Sequence, residues 1–162
     1  MKKVGKSSKK GFTLVELIVV LVILAVLAAM LVPALVGYID RAKKEKEYQA
    51  ASTVYAAVQA LATETYGKGG ELDTADAKST FTREQVKELT GVTVNDVKYI
   101  VKGSSTNIDK YTINYIAIQF NDKEDYYQYV AGGEWSTIET PAAPQGVSGT
   151  IETMPEKTST GG

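Results

Sequence analysis

Neither cysteine nor histidine occurs among the 162 residues. Without cysteine the chain closes no disulfide and offers no thiolate to a metal. Without histidine it lacks the general base of Ser-His-Asp and Cys-His systems and the ligands of HExxH sites. These two absences remove most nucleophile-based hydrolases and most zinc sites. No Asn-x-Ser/Thr sequon is present either. We therefore expect no enzyme: no catalytic residues, no cofactor and no metal site.

Charge of one sign is also missing from part of the chain. The first eleven residues hold Lys2, Lys3, Lys6, Lys9 and Lys10 and no acid. The whole chain carries 18 basic and 19 acidic residues, so the chain beyond Gly11 has 13 basic against 19 acidic, a balance of -6. An acidic body argues against a nucleic-acid surface built on bulk charge, and no nucleic-acid partner is expected.

What is abundant is apolar sequence in one place. Residues 17–32, LIVVLVILAVLAAMLV, contain no polar side chain. With its flanks the stretch reaches about 28 residues before Asp40, more than the roughly 20 that a bilayer core requires. It reads as a membrane helix. Within it lies a single acid, Glu16, whose charge at mid-bilayer costs about 2.5 to 3.5 kcal/mol on insertion scales and less near the end. Either the carboxylate reaches the headgroups or it has a cationic partner, and no cation lies between Phe12 and Ile39.

Beyond Ile39 the apolar residues become periodic. Tyr48, Ala51, Tyr55, Val58 and Ala62 step by three and four, flanked by Val54 and Leu61, one helix stripe facing a partner. Lys43 and Glu47 stand four apart on the other face, the spacing of a helical ion pair. With no Gly or Pro between residues 40 and 65, the simplest reading continues the membrane helix until Gly67, Gly69 and Gly70 stop it. The helix is then about 54 residues and roughly 80 Å long. Thr82 followed by Gln85 reads as the capping box of a short helix, 83–89, ended by Gly91.

From there the period falls to two. Residues 97–102, 111–120 and 126–131 are rich in Tyr, Ile and Val and are separated by Gly-Ser-Ser and Asn-Asp-Lys-Glu-Asp turns, an antiparallel meander. Its apolar face needs a cover, for which the amphipathic half of the long helix is the candidate. The fold class is α+β. Asp122, Glu124 and Asp125 in the second turn do not have EF-hand spacing, and such a turn needs no metal. Residues 140–162 shift to Pro, Gly, Ser and Thr and read as a flexible tail, with one edge strand expected near residues 149–154. The organisation is thus 1–11 leader, 12–39 membrane half of the helix, 40–139 globular head, and 140–162 tail.

The junction Lys9-Lys10-Gly11-Phe12-Thr13-Leu14-Val15-Glu16-Leu17 resembles that of type IV prepilins: a short lysine-rich leader, Gly at the cut, Phe next, a glutamate fifth in the mature chain, an apolar helix, and Pro33 at mature position twenty-two. The motif covers residues 1–39; the remainder resembles the family in architecture only. The resemblance implies cleavage after Gly11 by a prepilin peptidase and N-methylation of Phe12. It also implies that Glu16 neutralises the N-terminal amine of a neighbouring subunit during assembly, two charges costly in hydrocarbon becoming tolerable as a pair. Pro33 removes an amide hydrogen and leaves the Ala29 carbonyl without its helical donor, at a cost near 3 kcal/mol. The resemblance adds a use for that weakness: residues 28–37, with Pro33 and Gly37, melt in the filament.

The partners so implied are other copies of the chain in a helical filament, the cytoplasmic membrane before assembly, the peptidase and the pilus assembly machinery. The precursor would be a single-pass membrane protein and the assembled form an extracellular pilus serving adhesion, twitching motility or biofilm. The lack of cysteine departs from pilins that close a C-terminal loop with a disulfide and fits cysteine-poor relatives in Gram-positive bacteria. Two rivals stand beside this reading. A pseudopilin of a type II secretion or DNA-uptake machine shares the junction and the helix. A membrane-tethered surface-binding protein that never polymerises would keep an uncut N-terminus. A secretory cut after the poor site Ala34-Leu35-Val36 would instead leave Gly37 first.

Overall fold

The computed structural model describes residues 11–68, 82–102 and 111–156. The leader through Lys10, the glycines at 69 and 70, the Gly-Ser-Ser turn at 103–105 and the last six residues lie outside the described residues. The chain divides between Lys44 and Glu45 into two units, where composition alone drew the boundary at residue 39.

Helix α1 is Leu14–Gly67, 54 residues, with Pro33 inside it. In the first unit its side chains are exposed throughout, and none of the membrane-length apolar window is buried. Residues 28–37 are helical here, through both Pro33 and Gly37.

The second unit is an α+β head. Short helix α2, Arg83–Thr90, begins with the expected capping box between Thr82 and Gln85 and ends at Gly91 in the left-handed region, φ 70°, a conformation that glycine adopts without a Cβ penalty. Strands β1 (Val94–Val101), β2 (Ile113–Phe120), β3 (Tyr126–Val130), β4 (Ser136–Ile138) and β5 (Glu152–Thr153) form one sheet in the order β4-β3-β2-β1-β5, every neighbouring pair antiparallel. The three long strands match the sequence reading within three residues at each end, and β5 lies where an edge strand was expected. β4 was not anticipated.

Strand alternation divides the side chains between two faces. Val97, Tyr99, Ile116, Ile118 and Tyr127 share a core with Ala51, Val54, Val58, Leu61 and Ala62 of α1 and with Val86 of α2. The predicted helix stripe is thus the buried one, with Tyr48 and Tyr55 packed at its margin. Gln59 completes the contact at the start of β2: its Nε2 donates to the Tyr111 carbonyl and its Oε1 accepts from the Ile113 N–H, both at 2.9 Å. Backbone groups at a strand end thereby find partners that no neighbouring strand supplies.

The opposite face carries Ile100, Tyr115 and Ala117, with Tyr126, Val130, Val147 and Ile151 packed against them. This cover corrects the expectation of a flexible tail as far as Glu156. Val147 and Ile151 lie on the sheet, β5 pairs with β1, and Met154 returns to the helix-side core at 1% exposure. The carbonyls of Pro155 and Glu156 accept from the Arg83 and Glu84 amides, at 2.9 and 3.2 Å, supplying acceptors to donors that a helix leaves open in its first turn. Gly149 makes the close approach possible. It has φ 139°, and a Cβ there would collide with Ile100 Cγ2. A segment poor in apolar residues is held because its few large ones meet a face already built by β1 and β2.

Candidate functional site

The residues singled out at the N-terminus lie in the first unit. Gly11 and Phe12 precede the helix in non-regular backbone. Phe12 is 82% exposed, and nothing lies within 4 Å of where a Gly11 Cβ would be. The peptide bond between them is therefore uncovered by the rest of the described chain.

Helix α1 starts immediately afterwards because Thr13 and Glu16 cap it. The Thr13 N–H and hydroxyl both donate to Glu16 Oε2, at 2.8 and 2.7 Å, and the Glu16 N–H donates to Thr13 Oγ1 at 3.3 Å. This is a capping box, in which each residue's side chain meets the other's backbone amide, and the carboxylate sits where the helix dipole favours negative charge. The cap adds to the sequence reading, which looked only for a cation between Phe12 and Ile39: among the described residues the partner of Glu16 is Thr13. Thr13 is the residue that reading passed over. Its signal was available, since Thr-Leu-Val-Glu has the same spacing as the Thr82–Gln85 box that was recognised; the isolated charge masked the cap.

Among the described residues only one carboxylate oxygen is used. Both Thr13 bonds end on Oε2, and among the described residues nothing bonds to Oε1. The arrangement can accept one further donor without losing the cap. Pro33 and Gly37 are 17 and 21 residues further along α1 and are not brought to the junction.

In the second unit one charged residue of the β2–β3 turn, Lys123, has a carboxylate of α1 as its partner. Lys123 Nζ donates to Glu47 Oε1 at 2.7 Å, and the Tyr127 hydroxyl donates to Glu47 Oε2 at 2.7 Å. The pairing of Glu47 with Lys43 expected from helical spacing is not formed; Glu47 faces the sheet. Burial, and then the bond to Glu47, push the Tyr127 hydroxyl well above its ordinary range, and the same carboxylate raises Lys123. On the outer face the Tyr126 hydroxyl donates to Asp96 Oδ2 at 2.8 Å; burial and this bond push it up to about 12. Lys98 pairs with the same carboxylate at 3.2 Å. Among the described residues no group of three acids converges as a metal site would require.

With the junction and the fold described, comparison with known proteins identifies the first. The family model for the prokaryotic N-terminal methylation motif matches residues 6–32. This is the class III signal of type IV pilins, and its match supports a type IV pilin-like prepilin. The signal belongs to structural proteins, pilins and pseudopilins, and not to an enzyme family. The match is confined to the leader, the junction and the apolar half of α1. No curated protein and no solved structure matches the chain.

Proposed function

We propose that the chain is the structural subunit of a type IV pilus. It enters the cytoplasmic membrane by the first half of α1, is cut after Gly11 by a prepilin peptidase and methylated on Phe12, and assembles with other copies through its N-terminal helix into a surface filament. The observation that carries this reading is the junction: a Gly11–Phe12 bond that no described residue covers, next to a capped Glu16 with one oxygen that no described residue bonds.

Cleavage creates an ammonium on Phe12. That residue's own amine is adjacent to a cap that is already satisfied, so the free Oε1 is open to the amine of another copy. Pairing offsets two desolvation costs that neither charge can avoid alone in hydrocarbon. Assembly then selects the register that brings amine and carboxylate together. Residues 28–37 supply the extension of the subunit in the filament, because Pro33 has already removed one rung of the helix there. Filaments follow from head-to-tail contacts that do not close.

Mass spectrometry of material sheared from the cell surface tests the proposal. It predicts an abundant species beginning with N-methylated Phe12, and its loss when Gly11 is replaced by Val. An abundant surface species beginning at Met1 or Gly37 would refute it. A species starting at Phe12 that stays in the membrane fraction and forms no long filaments would instead indicate a pseudopilin.

A further inference from the structure

Just beyond its apolar stretch, helix α1 carries a group of cations that the filament reading leaves unused. Arg41, Lys43 and Lys44 follow the apolar stretch directly, and Lys46 comes two residues later. All four are exposed, and among the described residues none of their side chains makes an ion pair or a hydrogen bond. Their isolation is not for want of nearby acids. Lys44 stands four residues from Asp40, Arg41 from Glu45 and Lys43 from Glu47, the spacing at which helical pairs form. None of these pairs is made. Glu47 is withdrawn altogether, its two oxygens held by Lys123 and Tyr127.

Their level along α1 agrees with a membrane surface. The 26 residues from Leu14 to Ile39 rise about 39 Å, while the hydrocarbon core is about 30 Å thick and core plus headgroups about 40–45 Å. With Leu14 near one interface, Arg41 emerges in the headgroup layer of the other. Tyr38, 69% exposed, precedes it at the depth where amphipathic rings settle. At about 100° per residue the four cations project at roughly 0°, 200°, 300° and 140° around the helix, counted from Arg41 in sequence order. A partner protein lying along the helix would meet one side; charge on all sides suits a ring of small anions.

We propose that Arg41, Lys43, Lys44 and Lys46 form a collar that binds the phosphate headgroups of anionic phospholipids and fixes the depth of the subunit before assembly. This rests on the membrane-inserted precursor of the reading above. The long aliphatic stems lie along the emerging helix while the charged ends reach the phosphates.

The test uses the full chain with the five leader lysines changed to Gln, since those would attract the same lipids at the other end. It is reconstituted into nanodiscs of equal phosphatidylcholine and phosphatidylglycerol, and the lipids retained on extraction are counted by native mass spectrometry. Phosphatidylglycerol should be retained about tenfold over phosphatidylcholine. The variant R41Q/K43Q/K44Q/K46Q should fall to parity, while R41K should keep the preference. Equal retention of both lipids by the parent, or a preference that survives the four glutamines, overturns the collar and leaves the filament reading standing. A preference abolished by millimolar inorganic phosphate assigns the site to free phosphate and overturns the headgroup assignment. A chain that does not enter nanodiscs overturns both.

Discussion

The two units of this chain use apolar residues in opposite ways. Residues 17–39 expose a long apolar surface that no described residue covers, with the acid before it capped by Thr13. From Glu45 onward the apolar residues are interrupted, period by period, and become a two-faced core with α1 on one side of the sheet and residues 147–151 on the other. On the proposed function the first unit is completed from outside, by lipid or by other copies, whereas the second has its core within the chain. Apolar residues that meet no partner within the chain look for one elsewhere.

Substitutions can separate the two. The largest effect is expected from Glu16→Ala: filaments in the sheared fraction fall at least tenfold, while membrane insertion and the melting temperature of the head are unchanged. Normal filaments from that variant would break the link between the free oxygen and assembly. The converse change is Ile116→Ala. Ile116 is fully buried in the helix-side core, so its truncation should cost about 2–5 kcal/mol in denaturant unfolding of the head. It should leave membrane retention untouched.

A pair of glycines sharpens the contrast at a smaller scale. Gly149→Val forces a β-branched side chain into positive φ and against Ile100, which should destabilise the head by about 1–3 kcal/mol. Gly37→Ala meets nothing within 4 Å and replaces the poorer helix former, so α1 should gain about 1 kcal/mol at most. If both changes cost the head equally, as read by thermal unfolding, the distinction drawn between the units is wrong.

The smallest effect is at alkaline pH. The Tyr126 hydroxyl is raised from 10 to about 12 in the folded head. Between those values the unfolded chain has lost a proton that the folded one keeps. Its contribution to stability is therefore full below pH 10 and declines as the pH rises towards 12. Tyr126→Phe should flatten that decline; an unchanged slope in a pH series of urea melts would remove Tyr126 as its source.

How much of this was legible in the sequence differs by element. α1 was readable along its length because residues 17–32 are a continuous apolar run and the stripe from Tyr48 to Ala62 has a helical period. α2 was readable from its cap and its terminal glycine. Ser136–Ile138 was not: three residues are too few to display a period of two, and only pairing with β3 makes them a strand. The segment after Thr140 was misjudged from composition for a related reason. Val147, Ile151 and Met154 are sparse along the chain, and their hold depends on the sheet faces that receive them. At the junction the methylation motif was legible, whereas the part of Thr13 was seen only once its bonds to Glu16 were in view.

Sequence by itself determined the membrane-length helix, the N-terminal methylation motif, the capping signals and the alternation of the long strands. Each depends on residues within a turn or two of one another, so the relevant physical chemistry is local. Tertiary structure decided which carboxylate meets which cation, turning Glu47 from Lys43 to Lys123 and Tyr127. It also decided that a polar C-terminal segment is held as a second cover of the sheet. Such outcomes depend on groups brought together from distant parts of the chain, and their partners do not exist until the sheet has formed.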